Sequence, residues 1–304
     1  MKTRPLVRRP QPLINTSLQR GDRRRKVTSN RFSGFRHGFT LLELLAIIAM
    51  MALLSSVFVI GLARTNPYSK STQCVNGLRQ LTLAWRLYAE DNRDVLLTCA
   101  SLAGRVRWVA GNVDFSSAQG NWDPAVYINT SPMFPYCGGN ASIFRCPADG
   151  ATLISNSIRV PRVRSRSMSE VFGTGEWLDK NFNLTQRIWR TYSSFSSIMQ
   201  PAHTFVFLDE HPDSINDGSF ASACTGNQPA DPPGSSSIID FPANYHNQGA
   251  GLSFADGHAD IHRWIGTKVG RAPITYTGQI ALNVSASDSW VDMHWLAQNT
   301  TVRY

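Results

Sequence analysis

The densest set of potential ligands in this 304-residue chain lies in the segment LDEHPDSINDG. Asp209, Glu210, Asp213, Asn216 and Asp217 bring oxygen donors into nine consecutive positions, and Gly218 permits a tight turn behind them. Hard oxygen donors at that density suit Ca2+, which takes roughly six to eight of them. The spacing is not that of an EF-hand loop. A solvated acidic turn closed by side-chain-to-backbone hydrogen bonds would use the same residues.

A second group lies in NYHNQGAGLSFADGHADIHRW. Asp256-Gly257 signals a hairpin turn between two alternating segments. On the second of these, His258, Asp260, His262 and Trp264 share one face, because strand side chains alternate. With His246 and Asp256 added, that region could hold Zn2+ and serve an extracytoplasmic metal-dependent enzyme. The plainer expectation is a polar face on which His246 hydrogen-bonds the turn and ties two loops together. The five cysteines, Cys74, Cys99, Cys137, Cys146 and Cys224, are an odd number, so they cannot all pair within one chain. Cys137 and Cys146 enclose a short Gly-containing loop and are candidates for a disulfide. The chain carries no G-x-S-x-G, no H-E-x-x-H and no phosphate-cradling glycine loop.

The elements that must position these groups follow from charge and periodicity. The formal net charge is +9, from 30 basic and 21 acidic residues. Residues 1–38 hold 11 of the basic residues and a single acid, which leaves 19 basic and 20 acidic residues for 39–304. The basic character therefore belongs to an N-terminal arm without apolar periodicity, and a nucleic-acid-binding globule is excluded on charge. From Leu44 to Ala63 there are 20 consecutive uncharged, mostly apolar residues, a length that spans a bilayer as a helix. The basic flank orients such a helix with residues 1–38 in the cytoplasm and the rest outside. That compartment is oxidising, so disulfides would persist there. Glu43 stands near the start of the apolar run, where a carboxylate is costly unless paired.

Beyond Pro67, the segment CVNGLRQLTLAWRLYAEDN carries Val75, Leu78, Leu81, Trp85 and Tyr88 at helical spacing, predicting an amphipathic helix that ends near Asn92–Asp94. Residues 106–115, 204–210, 251–264 and 273–284 are the strand candidates. Residues 212–240 have the composition of a long Pro/Ser/Gly/Asp loop. The expected class is α+β, with a long N-terminal helix packed on an antiparallel-sheet, loop-rich head.

The block GFTLLELL, Gly38 to Leu45, resembles the class III signal of type IV prepilins and type II secretion pseudopilins. In that pattern a basic leader precedes a Gly, a Phe and a Glu at the fifth mature position, here Gly38, Phe39 and Glu43. The stretches CVNGLRQLTLAWRLYAEDN, FRCPADG and PRVRSRSMS resemble pieces of a large bacterial group of pilin-like proteins. So do TFVFLDEHPDSINDG and NYHNQGAGLSFADGH. In the last, His246 is followed by nine residues and Asp256-Gly257, the spacing of the prepilin-type processing-associated H-X9-DG domain.

The resemblance implies cleavage after Gly38 by a membrane prepilin peptidase, methylation of the Phe39 amine, and assembly with other pilin-like subunits through the N-terminal helix. In a filament, the amine of a neighbouring Phe39 would neutralise Glu43, since a buried charge is tolerable when paired. The resemblance also offers Cys74 with Cys146 as an alternative disulfide, and it supports a Ca2+ site in the head, as in major pseudopilins. The expected organisation is a cytoplasmic leader at 1–38, a membrane or filament-core helix at 39–64, its amphipathic continuation at 65–94, and a periplasmic head at 95–304. The expected role is structural rather than enzymatic, in a single-pass protein of the inner membrane; the alternatives are the anchored metal-dependent enzyme and a surface binding module that uses the helix only as an anchor.

Overall fold

The computed structural model describes residues 40–51, 69–180 and 187–304. Contacts divide the chain into two compact units, Met1–Val59 and Ile60–Tyr304.

In the first unit, residues 41–51 form helix α1. Its start is a reciprocal capping box. The Thr40 backbone N–H donates to Glu43 Oε2 at 2.9 Å, and the Glu43 backbone N–H donates to Thr40 Oγ1 at 3.2 Å. The apolar side chains of α1 stand exposed, Leu41 at 82%, Leu42 at 78% and Met51 at 62%. Gly38, Phe39 and the apolar run beyond Met51 lie outside the described residues, and among the described residues no helix is long and apolar enough to cross a membrane.

The second unit is a mixed α+β domain. Helix α2 spans Lys70–Asp91, capped by Ser69, whose side chain accepts the Thr72 N–H, and ends at Asn92. Its buried face is Cys74, Leu78, Leu81 and Trp85, spaced four, three and four, with Gly77, Thr82, Ala84 and Ala89 beside them. The sequence-predicted stripe is therefore rotated slightly: Val75 and Tyr88 sit at its margins, and Cys74 and Ala89 are inside. Short helices α3 (Pro124–Tyr127) and α4 (Thr267–Gly270) follow, and α5 (Trp290–Gln298) lies near the C-terminus.

Among the described residues the strands are β1 (Thr152–Ser155), β2 (Ile158–Pro161), β3 (Arg166–Ser169), β4 (Phe205–Asp209), β5 (Ser219–Phe220), β6 (Ser237–Ile238), β7 (Gly249–Phe254), β8 (Ala259–Arg263) and β9 (Val284–Ser285). The central sheet has the order β5-β3-β4-β7-β8, antiparallel throughout except for the short β3–β5 pair. Every residue of β4 and β7 is buried, because the sheet is covered on both faces. On one face α2 packs across β7, β8 and β4, with Trp85, Phe172, Val206 and Phe207 in one apolar cluster. A second cluster joins Phe205, Leu208, Leu252, Phe254 and Trp264 to Met293 and Leu296 of α5.

Three expectations from periodicity need correction. Residues 106–115 are not a strand: Gly111 takes a φ of +72°, which breaks the extended path, and the segment makes only an isolated bridge between Arg107 and Thr98. Its apolar residues Trp108, Val109 and Val113 are nonetheless buried. Residues 273–284 are irregular save for the start of β9, because their backbone is drawn around Asp213. The supposed loop 212–240 contains β5 and β6, and much of it is core.

Candidate functional site

One group of titratable side chains is brought together from four distant segments. Cys74 comes from the first turns of α2, Cys146 from the loop before β1, Asp209 from the end of β4, and His246 from the turn before β7. Their Sγ, Oδ and ring-nitrogen atoms all lie within 4.8 Å of one another. Among the described residues, no other set of three or more His, Cys, Asp and Glu side chains is close enough to share an ion.

Each member is aimed by a specific partner. Cys74 Sγ donates to Asp209 Oδ2 at 2.8 Å, and Cys146 Sγ lies 3.2 Å from His246 Nε2. His246 Nδ1 is 3.1 Å from Ser71 Oγ, so the helix orients the ring and turns Nε2 toward the sulfurs. The His246 side chain is only 3% exposed and its Nε2 is 3.8 Å from Asp209 Oδ2. Arg166, on β3, is fully buried beside the quartet. Its Nε donates to Asp209 Oδ1 at 3.1 Å, its Nη1 to the Ile143 carbonyl, and its Nη2 to the Cys74 carbonyl at 3.0 Å. A buried guanidinium is tolerable with that full set of partners.

Two glycines make the approach possible. A Cβ on Gly251 of β7 would sit 2.6 Å from Leu78 Cδ1 and 2.8 Å from both Cys74 Sγ and Asp209 Oδ2. A Cβ on Gly77 of α2 would sit 2.9 Å from Arg166 Nη1. Helix, sheet and guanidinium therefore close on one another only where side chains are missing.

The electrostatics follow from burial and neighbours. Burial alone would raise Asp209, but Arg166 and the hydrogen bonds from His246 and Cys74 hold its carboxyl below the ordinary carboxylate range. Burial opposes charge on His246, yet its contacts with Asp209 and Cys74 prevail and raise the imidazole to about 9. A hydrogen bond from Cys146 lowers the Cys74 thiol, while burial pushes Cys146 up.

The remaining sequence-predicted ligands are engaged elsewhere. Of the five oxygen donors proposed for Ca2+, only Asp209 enters the quartet. Glu210 accepts from Ser167 Oγ at 2.5 Å and Ser214 Oγ at 3.0 Å, and its burial raises its carboxyl well above the usual range. Asp213 is ringed by the backbone N–H groups of Thr275, Tyr276, Thr277 and Gly278 at 2.6–3.2 Å, which outweigh burial and lower it. Asn216 accepts the Asp217 N–H, and Asp217 accepts the Ser219 N–H at 2.7 Å. The structure does not bring the five together, because successive side chains along this turning segment leave in different directions.

The hairpin histidines also separate. His258 Nδ1 lies 2.6 Å from Asp256 Oδ1, and its ring stacks on Phe254. His262 stacks on Trp295 at 3.5 Å and meets Trp264 edge-on. Burial there pushes the His262 imidazole down to about 4. His246 joins neither of them and does not bond the hairpin turn. The reason is length: β7, Gly249–Phe254, lies between His246 and Asp256-Gly257, holding them about 20 Å apart. At the far end, Gly257 turns with a φ of +101° and Arg86 Nη1 donates to the Asp256 carbonyl at 2.9 Å. Cys137 and Cys146 are not bonded to each other; all five cysteines are unpaired, and Cys146 faces Cys74.

Sequence reasoning paired Cys74 with Cys146 as an alternative but missed Asp209 and His246 as their neighbours, and missed Arg166. The signal was present in PRVRSRSMS, where Arg162, Arg164 and Arg166 alternate and all prove buried. Comparison of the chain with protein-family models, with curated proteins and with solved structures returns no match.

Proposed function

We propose that this chain is a pilin-like structural subunit. It is held in the inner membrane with its leader cytoplasmic and its head periplasmic. Prepilin peptidase cleaves it after Gly38, the Phe39 amine is methylated, and the subunit assembles through its N-terminal helix into a type IV pilus or type II secretion pseudopilus.

The observation that carries this reading is the coincidence of the Gly38–Phe39–Glu43 block with an apolar helix, α1, whose Leu and Met side chains are exposed. Apolar surface of that extent calls for lipid or neighbouring helices around it. A second amphipathic helix seated on an antiparallel sheet supports the same reading. The quartet at Cys74 supports a structural rather than a catalytic role for the head, because its atoms are buried beneath α2 and joined to Arg166.

N-terminal sequencing of the protein recovered from native membranes tests the proposal. The expected first residue is a methylated Phe39, and Gly38→Ala is expected to leave the leader attached. Any other mature N-terminus overturns the reading.

A further inference from the structure

We propose that Cys74, Cys146, Asp209 and His246 form a structural Zn2+ site that fastens helix α2 to the sheet. The inference stands apart from export and assembly, because it rests only on the interior of the second unit.

The first argument is donor chemistry. Two sulfurs, one imidazole nitrogen and one carboxylate oxygen are a zinc set, and structural zinc sites are closed and four-coordinate. Zinc–ligand bonds of about 2.0–2.3 Å in a tetrahedron put ligand atoms roughly 3–4 Å apart. The four atoms here meet within 4.8 Å, and the contacts at 2.8 and 3.2 Å are ones that an ion would widen slightly.

The second argument is orientation. His246 presents Nε2 to the cluster because Ser71 Oγ engages Nδ1, the outer-shell arrangement that fixes a metal-binding imidazole. Asp209 is held the same way: Arg166 takes Oδ1, and Oδ2, which accepts one long bond from the Gly251 N–H at 3.3 Å, faces Cys74 and His246. A carboxylate held by one oxygen and offered by the other is set up for monodentate ligation.

The third argument is charge. With both cysteines as thiolates, Asp209 ionised and His246 neutral, the ligands contribute three negative charges. Zn2+ and the Arg166 guanidinium contribute three positive ones. A buried site is stable only when its charge is balanced in this way. Binding releases three protons, one from each thiol and one from the His246 imidazole, and no electron changes hands.

The site also explains the glycines. Gly251 and Gly77 remove Cβ atoms that would press on Cys74 Sγ, Asp209 Oδ2 and Arg166 Nη1, which keeps the centre open to an ion.

The test is elemental analysis of the full chain, purified in detergent without chelator or reductant. About one zinc per chain is expected, and Cys74→Ser, Cys146→Ser and His246→Ala should each lower the zinc content at least tenfold, while Cys224→Ser, in which the altered thiol is remote from the site, should retain it. Because the first measurement uses the unaltered protein, it does not depend on the variants folding. Replacement by Co2+ should give thiolate charge-transfer absorption and the intense visible bands of a tetrahedral ion. A metal-free chain overturns the proposal, whether Cys74 and Cys146 are then found as a cross-linked peptide or as two alkylatable thiols.

Discussion

Arg86 Nη1 donates to the carbonyl oxygen of Asp256 at 2.9 Å, so the C-terminal half of α2 is held at the β7–β8 turn. At the other end of α2, Ser71 engages His246. Fifteen residues separate Ser71 from Arg86, about 22 Å of helix, which matches the length of the intervening strand. The H-X9-DG spacing is thus the length of one strand lying along one helix, with a fastening at each end. Arg86→Ala is expected to lower stability by about 1 kcal/mol, a typical net value for one hydrogen bond, as read from the midpoint of a denaturant titration. An unchanged midpoint would show that the fastening contributes nothing.

Gly251→Ala should be more damaging. The added Cβ meets Leu78, Cys74 and Asp209 at 2.6–2.8 Å, and β7 lies mid-sheet with no room to retreat. Overpacking of this kind costs about 1–3 kcal/mol. The accompanying sign is faster alkylation of Cys74 in the native state, since α2 must lift to accommodate the methyl group.

His262 should make the domain acid-sensitive over a defined window. Its imidazole is lowered from 6.5 to about 4 in the folded state, so between those values the unfolded chain binds the extra proton. Its contribution is therefore complete above about pH 6.5 and is lost as the pH falls toward 4. His262→Phe should keep the stacking on Trp295 and flatten that part of the curve of melting temperature against pH. An unaltered slope in the variant would assign the acid sensitivity elsewhere.

The carboxylate of Asp213 is already saturated by four backbone N–H groups, and its neighbours Glu210 and Asp217 have their own partners. Millimolar Ca2+ is accordingly expected to leave the melting temperature unmoved, since an ion that binds only the folded state must raise it. Asp213→Asn should lower it, because an amide cannot accept from all four donors; the expected loss is about 1–3 kcal/mol.

Glu43 closes the capping box with Thr40, and under the proposed function it would also pair with a neighbouring Phe39 amine in a filament. Glu43→Gln retains the cap, for which Gln serves as well as Glu, and removes the charge. Normal leader cleavage with failed incorporation into filaments is the expected outcome, measured in sheared surface or membrane fractions. Normal incorporation would refute the pairing argument and leave the cap as the reason for Glu43.

Local features of the chain are written in short-range patterns. The helical period of α2, its end near Asn92 and the Asp256-Gly257 turn are such patterns; the helix and turn appear where the sequence places them, with the α2 stripe rotated to take in Cys74 and Ala89. The concentration of positive charge in residues 1–38 is likewise a property of the chain alone. Tertiary structure decided which chemistry-bearing residues meet. Asp209 was legible as a ligand, but its acidic neighbours were grouped with it only because they are adjacent in sequence. Once β4 ends and the chain turns, adjacency no longer implies a common direction. His246 was grouped with His258 and His262 for the same reason, and a strand of fixed length keeps them apart. Cys74, Cys146, Asp209 and His246 meet because α2 must bury its apolar face on β7 and β4, and the hydrophobic effect that drives this acts between segments whose separation in sequence carries no signal.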